Sequence, residues 1–270
     1  GSEMCIRDSR YSGWLKRGIH VITPNKKAFS GSYGAYQTLQ ASADTGSSHY
    51  FYETTVGAAL PIISTLCDLI YTGDEVRSIN GIFSGTLAYL FNVYDGTKPF
   101  SAIVREAKES GYTEPDPRDD LSGMDVARKL TILARELGQG LEIGEFPVRS
   151  LVPEALEECS VDEFLDRLPD YDEEMESLYR KAADDDKQLR YVATLDAAGN
   201  ASVGLEAVDA SHPFSNINLT DNIVQFETDR YSANPLVVQG PGAGPEVTAG
   251  GVFSDLLRLA NYLSTGAGYV

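Results

Sequence analysis

Cysteine is scarce: Cys5, Cys67 and Cys159 are the only three in 270 residues. Widely spaced and odd in number, they suggest neither a disulfide framework nor a zinc site, and a reducing compartment follows as the default. Positive charge is also scarce. The chain has 22 Lys and Arg against 40 Asp and Glu, a formal net charge of −18. That imbalance argues against binding a phosphate backbone or an anionic membrane surface. No apolar run reaches the roughly 20 residues that span a bilayer. No G-x-G-x-x-G follows a strand near the N-terminus, where it would normally open a dinucleotide-binding domain. Internal repeats, low-complexity linkers, Ser-His-Asp arrangements and Cys/His metal clusters are lacking too. What is present is a 42% hydrophobic fraction, enough for an ordinary core, and a length that allows one large domain or two ordinary ones.

The most informative stretch is GYTEPDPRDDLSGMDVARK, Gly111 to Lys129. Two prolines are expected to keep its first half out of a helix, holding Glu114 in an extended loop. After Gly123, Val126, Leu130, Leu133 and Leu137 recur at helical spacing and give one apolar stripe. Asp125 and Lys129 are four apart, neighbours on the helix surface at the edge of that stripe. Acids set against one lysine suit a site that binds a small zwitterion and moves a proton. The same spacing also fits a capping box at Ser122 and Asp125, or a surface ion pair.

Elsewhere the chain alternates strand and helix patterns. His20–Thr23 reads as a strand followed by a turn and helix start at Pro24–Phe29, which puts Lys26 at a strand's carboxyl end, where open α/β sheets bind ligands. His49–Glu53 reads as a strand, with a turn at Val56–Leu60 and a helix to about Thr72. Val76–Phe83 reads as a strand and Leu87–Tyr94 as a helix, with Gly85 and Thr86 at its start, where backbone N–H groups attract anions. Residues 154–187 read as acidic helices with a solvated face. Four strands follow, at Leu189–Leu195, Ser202–Val208, Asn222–Glu227 and Pro235–Gln239, the first two joined by a hairpin turn at Gly199-Asn200. His212 reads as structural. The glycine-rich loop Gly240–Gly244 leads into a last helix.

GYTEPDPRDDLSGMDVARK closely resembles the signature of homoserine dehydrogenase, and the likeness runs from about Gly18 to the last helix. That motif and Phe146-Pro147-Val148-Arg149-Ser150-Leu151 resemble the fungal-type form especially. The resemblance implies that Glu114, Asp120 and Asp125, with Tyr112 beside them, bind substrate, and that Lys129 is the catalytic lysine. TPNKKAFS resembles the family segment whose first lysine, here Lys26, lies near nicotinamide and substrate. GIFSGTL resembles the segment beside the substrate, which adds Gly85 and Thr86. Gly244 matches a glycine that approaches the cofactor. In some members a monovalent cation (Na+ or K+) is held by residues matching Glu53, Val56, Ala58 and Leu60.

The implied fold is α/β. Residues 1–10 are expected to be a leader or artefact, and 11–58 with 240–270 a partial Rossmann-like nucleotide-binding domain lacking its first β-α units. Residues 59–239 are expected to form a substrate and dimerisation domain with a mixed sheet. The implied reaction is reversible reduction of L-aspartate 4-semialdehyde to L-homoserine with NAD(P)H, NADP favoured, in threonine, methionine and isoleucine biosynthesis. The implied assembly is a homodimer without nucleic acid or membrane partners, in the cytoplasm or, alternatively, the plastid. Two other readings stand beside it: the dehydrogenase part of a bifunctional aspartate kinase–homoserine dehydrogenase, and an inactive dimerisation fragment.

Overall fold

The computed structural model describes residues 10–265. In chain order its strands and helices are β1 (Val21–Ile22), α1 (Lys27–Ser30), α2 (Tyr33–Gly46), β2 (Tyr50–Phe51), α3 (Ile62–Tyr71), β3 (Val76–Ile82), α4 (Gly85–Val93), α5 (Phe100–Glu109), α6 (Pro117–Leu121), α7 (Met124–Glu136), α8 (Val161–Arg167), α9 (Asp172–Asp184), β4 (Lys187–Asp196), β5 (Ala201–Asp209), β6 (Asp221–Thr228), β7 (Leu236–Pro241) and α10 (Pro245–Thr265). Residues 10–15 are also helical. The leader expected at residues 1–10 lies, apart from Arg10, outside the described residues. The class is α/β as expected.

The chain divides into two compact units. One comprises Gly1–Asp74, Arg128–Glu145 and Pro241–Val270, the other Glu75–Ala127 and Phe146–Gly240. Residues 59–74 and 128–145, assigned by sequence to the substrate domain, therefore fall in the first unit. The physical reasons are specific. The Glu53 carboxylate accepts the Ile63 and Ser64 N–H groups at 2.7 and 2.9 Å, so α3 is capped from the preceding turn. The Arg135 guanidinium, 3% exposed, donates to the carbonyls of Phe29, Gly31 and Leu141 and lies over the Tyr33 and Tyr36 rings. Such charge-assisted links join segments a hundred residues apart.

In the first unit β1 and β2 pair in parallel, Val21 opposite Tyr50 and Ile22 opposite Phe51. The expected strand His49–Glu53 is cut short because Glu53–Thr55 turn into a 3-10 helix. A stack of rings fills the space beside the pair, Phe29 against Tyr52 at 3.8 Å and against Tyr50 at 4.6 Å between centroids. Helix α10 comes close to the turn at residues 54–59 because Gly251 has no side chain. A Cβ there would lie 2.8 Å from Thr54 Oγ1 and 3.0 Å from the Ala58 carbonyl oxygen.

The second unit is built on a five-stranded sheet of order β5-β4-β3-β6-β7. The ladders β3–β4, β3–β6 and β4–β5 are all antiparallel. The sheet expected to be mixed is thus antiparallel through these ladders, with a single parallel bridge, Val148 to Val203, added at the β5 edge. Helices α4 to α9 fill the β3–β4 connection, yet β4 returns antiparallel to β3, so no right-handed parallel crossover forms here. Asp196 closes the β4–β5 hairpin by accepting from the Ala198 and Asn200 N–H groups, both at 2.9 Å, with Gly199 at φ 87°. Ile79 stands opposite both Leu195 and Phe226, and Ile79 and Phe226 are fully buried. Burying a side chain of that size stabilises the fold by about 1.5–3 kcal/mol. A second cluster, Ile82, Ala88, Val192, Phe214, Ile217 and Ile223, seats α4 on the sheet. His212 is structural here: its Nδ1 accepts the Phe214 N–H at 3.2 Å, and burial holds its imidazole below the ordinary pKa.

Candidate active site

The site in the second unit begins where β3 ends. Ser84 caps α4 by accepting the Leu87 N–H. Gly85 opens the helix because a Cβ there would come within 3.1 Å of the Thr220 carbonyl oxygen. Thr86 then points its hydroxyl at two acceptors, the Tyr112 carbonyl at 2.7 Å and Asp120 Oδ1 at 2.8 Å. Asp120 Oδ2 accepts the Glu114 N–H at 2.8 Å. One carboxylate therefore binds the start of α4 to the acidic loop. Each Asp120 oxygen has a second lone-pair site beyond the protein partner named here. Burial raises the Asp120 pKa, the nearby charges of Glu114 and Asp125 add to that rise, and the Glu114 N–H and Thr86 hydroxyl oppose it. The Glu114 side chain is exposed, and Tyr112, 41% exposed, stacks on Tyr89 at 4.2 Å.

The proline expectation holds for Pro115 and fails for Pro117. Pro117 is the first residue of α6, where its missing N–H costs nothing and its fixed φ suits a helix. Asp120 is therefore on a helix and not in the loop. Gly123, at φ 72°, turns the chain from α6 into α7. Asp125 lies in the first turn of α7, and Lys129, one turn on, is 7% exposed. The division between the units falls within α7, after Ala127.

Sequence reading did not single out Arg118. Its guanidinium grips Asp116 through Nε at 2.9 and 3.1 Å and through Nη2 at 2.7 Å. Its Nη1 donates to the carbonyls of Leu156, Glu157 and Cys159 at 3.1, 3.0 and 2.6 Å, and the group lies 5.6 Å from the Phe164 ring centre. Asp-Pro-Arg hinted at the local half of this arrangement. The carbonyls, about 40 residues away, left no trace in the sequence.

The first unit holds the other expected residues. Lys26 ends the turn after β1 and precedes α1, and Gly244, at φ 119°, stands immediately before α10, which packs beside β1. A cation at a parallel strand's carboxyl end and a glycine at a helix start fit an anionic dinucleotide. Val56, Ala58 and Leu60 line the turn after Glu53, with Ala58 held at φ 53°. The Glu53 carboxylate is engaged by the two α3 amides and by Arg258 Nη1 at 3.0 Å. The Leu60 carbonyl accepts the Ile62 N–H. Glu53 Oε1 and the Leu60 carbonyl each have one hydrogen-bond partner here and keep a second lone-pair site that a monovalent cation could use.

Asp255, buried on α10, accepts the Glu53 N–H at 3.2 Å and lies 3.4 Å from Arg258. Burial pushes its carboxyl up to about 6, Arg258 opposing and Glu53 adding to the rise. A folded-state pKa above the unfolded value means the native state holds the proton more tightly. This group's contribution to stability is therefore present below the ordinary carboxyl range and lost as pH rises through about 6. Asp255→Asn should flatten the fall in melting temperature between about pH 4 and 6. A thermal-melt series in which the variant keeps the full wild-type slope would exclude Asp255 as its source.

The family model described as homoserine dehydrogenase matches residues 61–257. Bifunctional aspartokinase/homoserine dehydrogenase 1 of Zea mays is 56% identical over 257 residues, covering 94% of this chain and 28% of that protein. Homoserine dehydrogenase of Schizosaccharomyces pombe is 50% identical over 257 residues, covering 92% of this chain and 68% of that protein. The crystal structure of a Candida auris protein of unknown function superposes with a TM-score of 0.92 at 44% identity, over 97% of this chain and 75% of that one. The chain thus spans little more than a quarter of the maize relative's length and about two thirds of the fission-yeast one. It belongs to the homoserine dehydrogenase family.

Proposed function

We propose that this chain carries the substrate-binding and proton-transfer residues for reversible reduction of L-aspartate 4-semialdehyde to L-homoserine with a nicotinamide cofactor, NADP favoured. The observation that supports it most is the Asp120 carboxylate, which accepts from the Glu114 N–H and from the Thr86 hydroxyl, itself against the Tyr112 carbonyl, at the start of the helix pair carrying Asp125 and Lys129. The acids meet the substrate ammonium directly or through water. Lys129 gives a proton to the alkoxide that forms at the aldehyde oxygen and takes it back in the reverse direction. By the family resemblance Lys26 is the second cationic side chain of the reaction, offering positive charge to a developing oxyanion. When bound, the nicotinamide supplies the hydride to the aldehyde carbon or receives it from homoserine. A monovalent cation, Na+ or K+, would take the Glu53 carboxylate with the carbonyls of Val56, Ala58 and Leu60 and brace the turn. A homodimer, and threonine, methionine and isoleucine biosynthesis as the pathway, belong to the same reading.

The test is NADPH oxidation with aspartate semialdehyde beside a panel of other semialdehydes. Preference for the four-carbon amino aldehyde is expected, and equal rates across the panel would overturn the substrate assignment. Glu114→Gln should raise KM for homoserine about tenfold or more, the loss of a charge-assisted contact, while leaving the NADPH Kd nearly unchanged. Equal losses in both would reject that division of labour.

A second reading has its own support. Identity to the maize bifunctional protein, 56%, exceeds that to the fission-yeast enzyme, 50%. In that reading the chain is the dehydrogenase part of an aspartate kinase fusion, and the plastid takes the place of the cytoplasm. Among the described residues no helix is long and apolar enough to cross a membrane.

A further inference from the structure

Arg118 holds a position that the substrate chemistry does not require but the geometry of the site does. The acidic loop has two anchors, Asp116 and Asp120, with Glu114 just upstream of both. Asp120 holds Glu114 by its backbone N–H. Asp116 caps α6 by accepting the Arg118 N–H at 3.0 Å, so it sets where the helix bearing Asp120 begins. Asp116 is itself held by the Arg118 guanidinium, which reaches three carbonyls of the Leu156–Cys159 segment. That segment is fixed: Leu156 is fully buried, and Ser160 caps α8 by accepting the Glu163 N–H. The hydrogen-bonded path therefore runs from a segment anchored by the buried Leu156 through Arg118 and Asp116 into α6, and from Asp120 to Glu114 and Thr86. Asp116 and Arg118 shift each other in the expected directions, the carboxyl below its ordinary range and the guanidinium above it.

We propose that Arg118 is a positioning residue for substrate binding, fixing the Asp116 end of the acidic loop so that Glu114 and Asp120 present one arrangement to the substrate. This rests on the homoserine reading above. A planar fork with five donors can hold a carboxylate side-on and still reach carbonyls behind it, and a lysine ammonium cannot. The loop carries no chemistry of its own, so loosening it costs binding order more than the proton transfer at Lys129.

The experiment compares wild type with Arg118→Met, Arg118→Lys and the milder Asp116→Asn, which keeps the helix cap but loses the charged half of the pair. Steady-state kinetics, NADPH affinity, melting temperature and amide exchange of residues 111–121 are measured on each. Arg118→Met should raise KM for homoserine about tenfold, in line with lost charge-assisted hydrogen bonds, with kcat changed much less and NADPH affinity unchanged. Exchange should speed up within residues 111–121. Lysine should restore little, and Asp116→Asn should move KM the same way by less. If Arg118→Met fails to fold, Asp116→Asn carries the comparison. A lower melting temperature with unchanged KM and unchanged loop exchange would make Arg118 merely structural and overturn the proposal. Wild type without homoserine turnover would overturn the functional reading and this inference with it, whereas an active wild type with a silent Asp116→Asn and Arg118→Met would sink this inference alone.

Discussion

Lys129→Ala is expected to lower kcat by about 10²–10⁴, the usual contribution of a positioned proton donor. Lys129 is 7% exposed, one helical turn after Asp125 on α7. So little exposed, it is not the solvent-exposed ion pair that its spacing from Asp125 also allowed. Alanine is a good helix former and keeps α7 intact. Circular dichroism and the melting temperature should therefore change far less than turnover, and KM for homoserine should move less than kcat. Should kcat stay within a factor of a few of wild type while the helix is intact, Lys129 is not the proton donor.

Gly123→Ala is expected to destabilise the second unit by about 2–4 kcal/mol, from overpacking together with a left-handed backbone. At φ 72° an L-residue is already strained, and the new Cβ would lie 1.9 Å from Tyr191 Oη and 2.9 Å from its ring carbon. Tyr191 has nowhere to go. It is 1% exposed on β4 and its hydroxyl donates to the Arg149 carbonyl at 2.8 Å. For a unit of this size the melting temperature should fall by about 5–15 °C. Because the clash begins at the hydroxyl, Tyr191→Phe combined with Gly123→Ala should be less destabilising than the sum of the two, by about 1 kcal/mol. Strict additivity would mean the strain is in the backbone alone. Gly123 joins the helix bearing Asp120 to the helix bearing Asp125 and Lys129, so residual homoserine affinity should fall with stability.

Much of the fold was readable along the chain. Strands β3 to β6 were located within two residues at each end, because period-two patterns bounded by turn residues are local signals. Helix α7 was located from its apolar repeat, and the hairpin from Gly199-Asn200. The misreadings also have physical causes. Pro117 was read as a helix breaker, but a proline's effect depends on whether it falls at the first helical position or deeper, and the Asp116 cap decided that. The strand through Glu53 was cut short because its carboxylate turned to α3 and Arg258, partners 10 and 205 residues away.

The same division holds for the candidate site. By itself the sequence determined which residues could do the chemistry, since an acid-rich loop followed by Asp and Lys four apart on a helix depends only on short-range spacing and residue type. It determined the α/β class and the family signature for the same reason. Only the tertiary structure decided how those residues are held. Asp120 turned out to be the knot of the loop as well as a candidate ligand, Arg118 its anchor, and Glu53 a helix cap joined to Asp255. Each of these rests on hydrogen bonds between segments six to about two hundred residues apart. Such pairings satisfy buried polar groups wherever the folded chain brings them together, and no local pattern of residues records them.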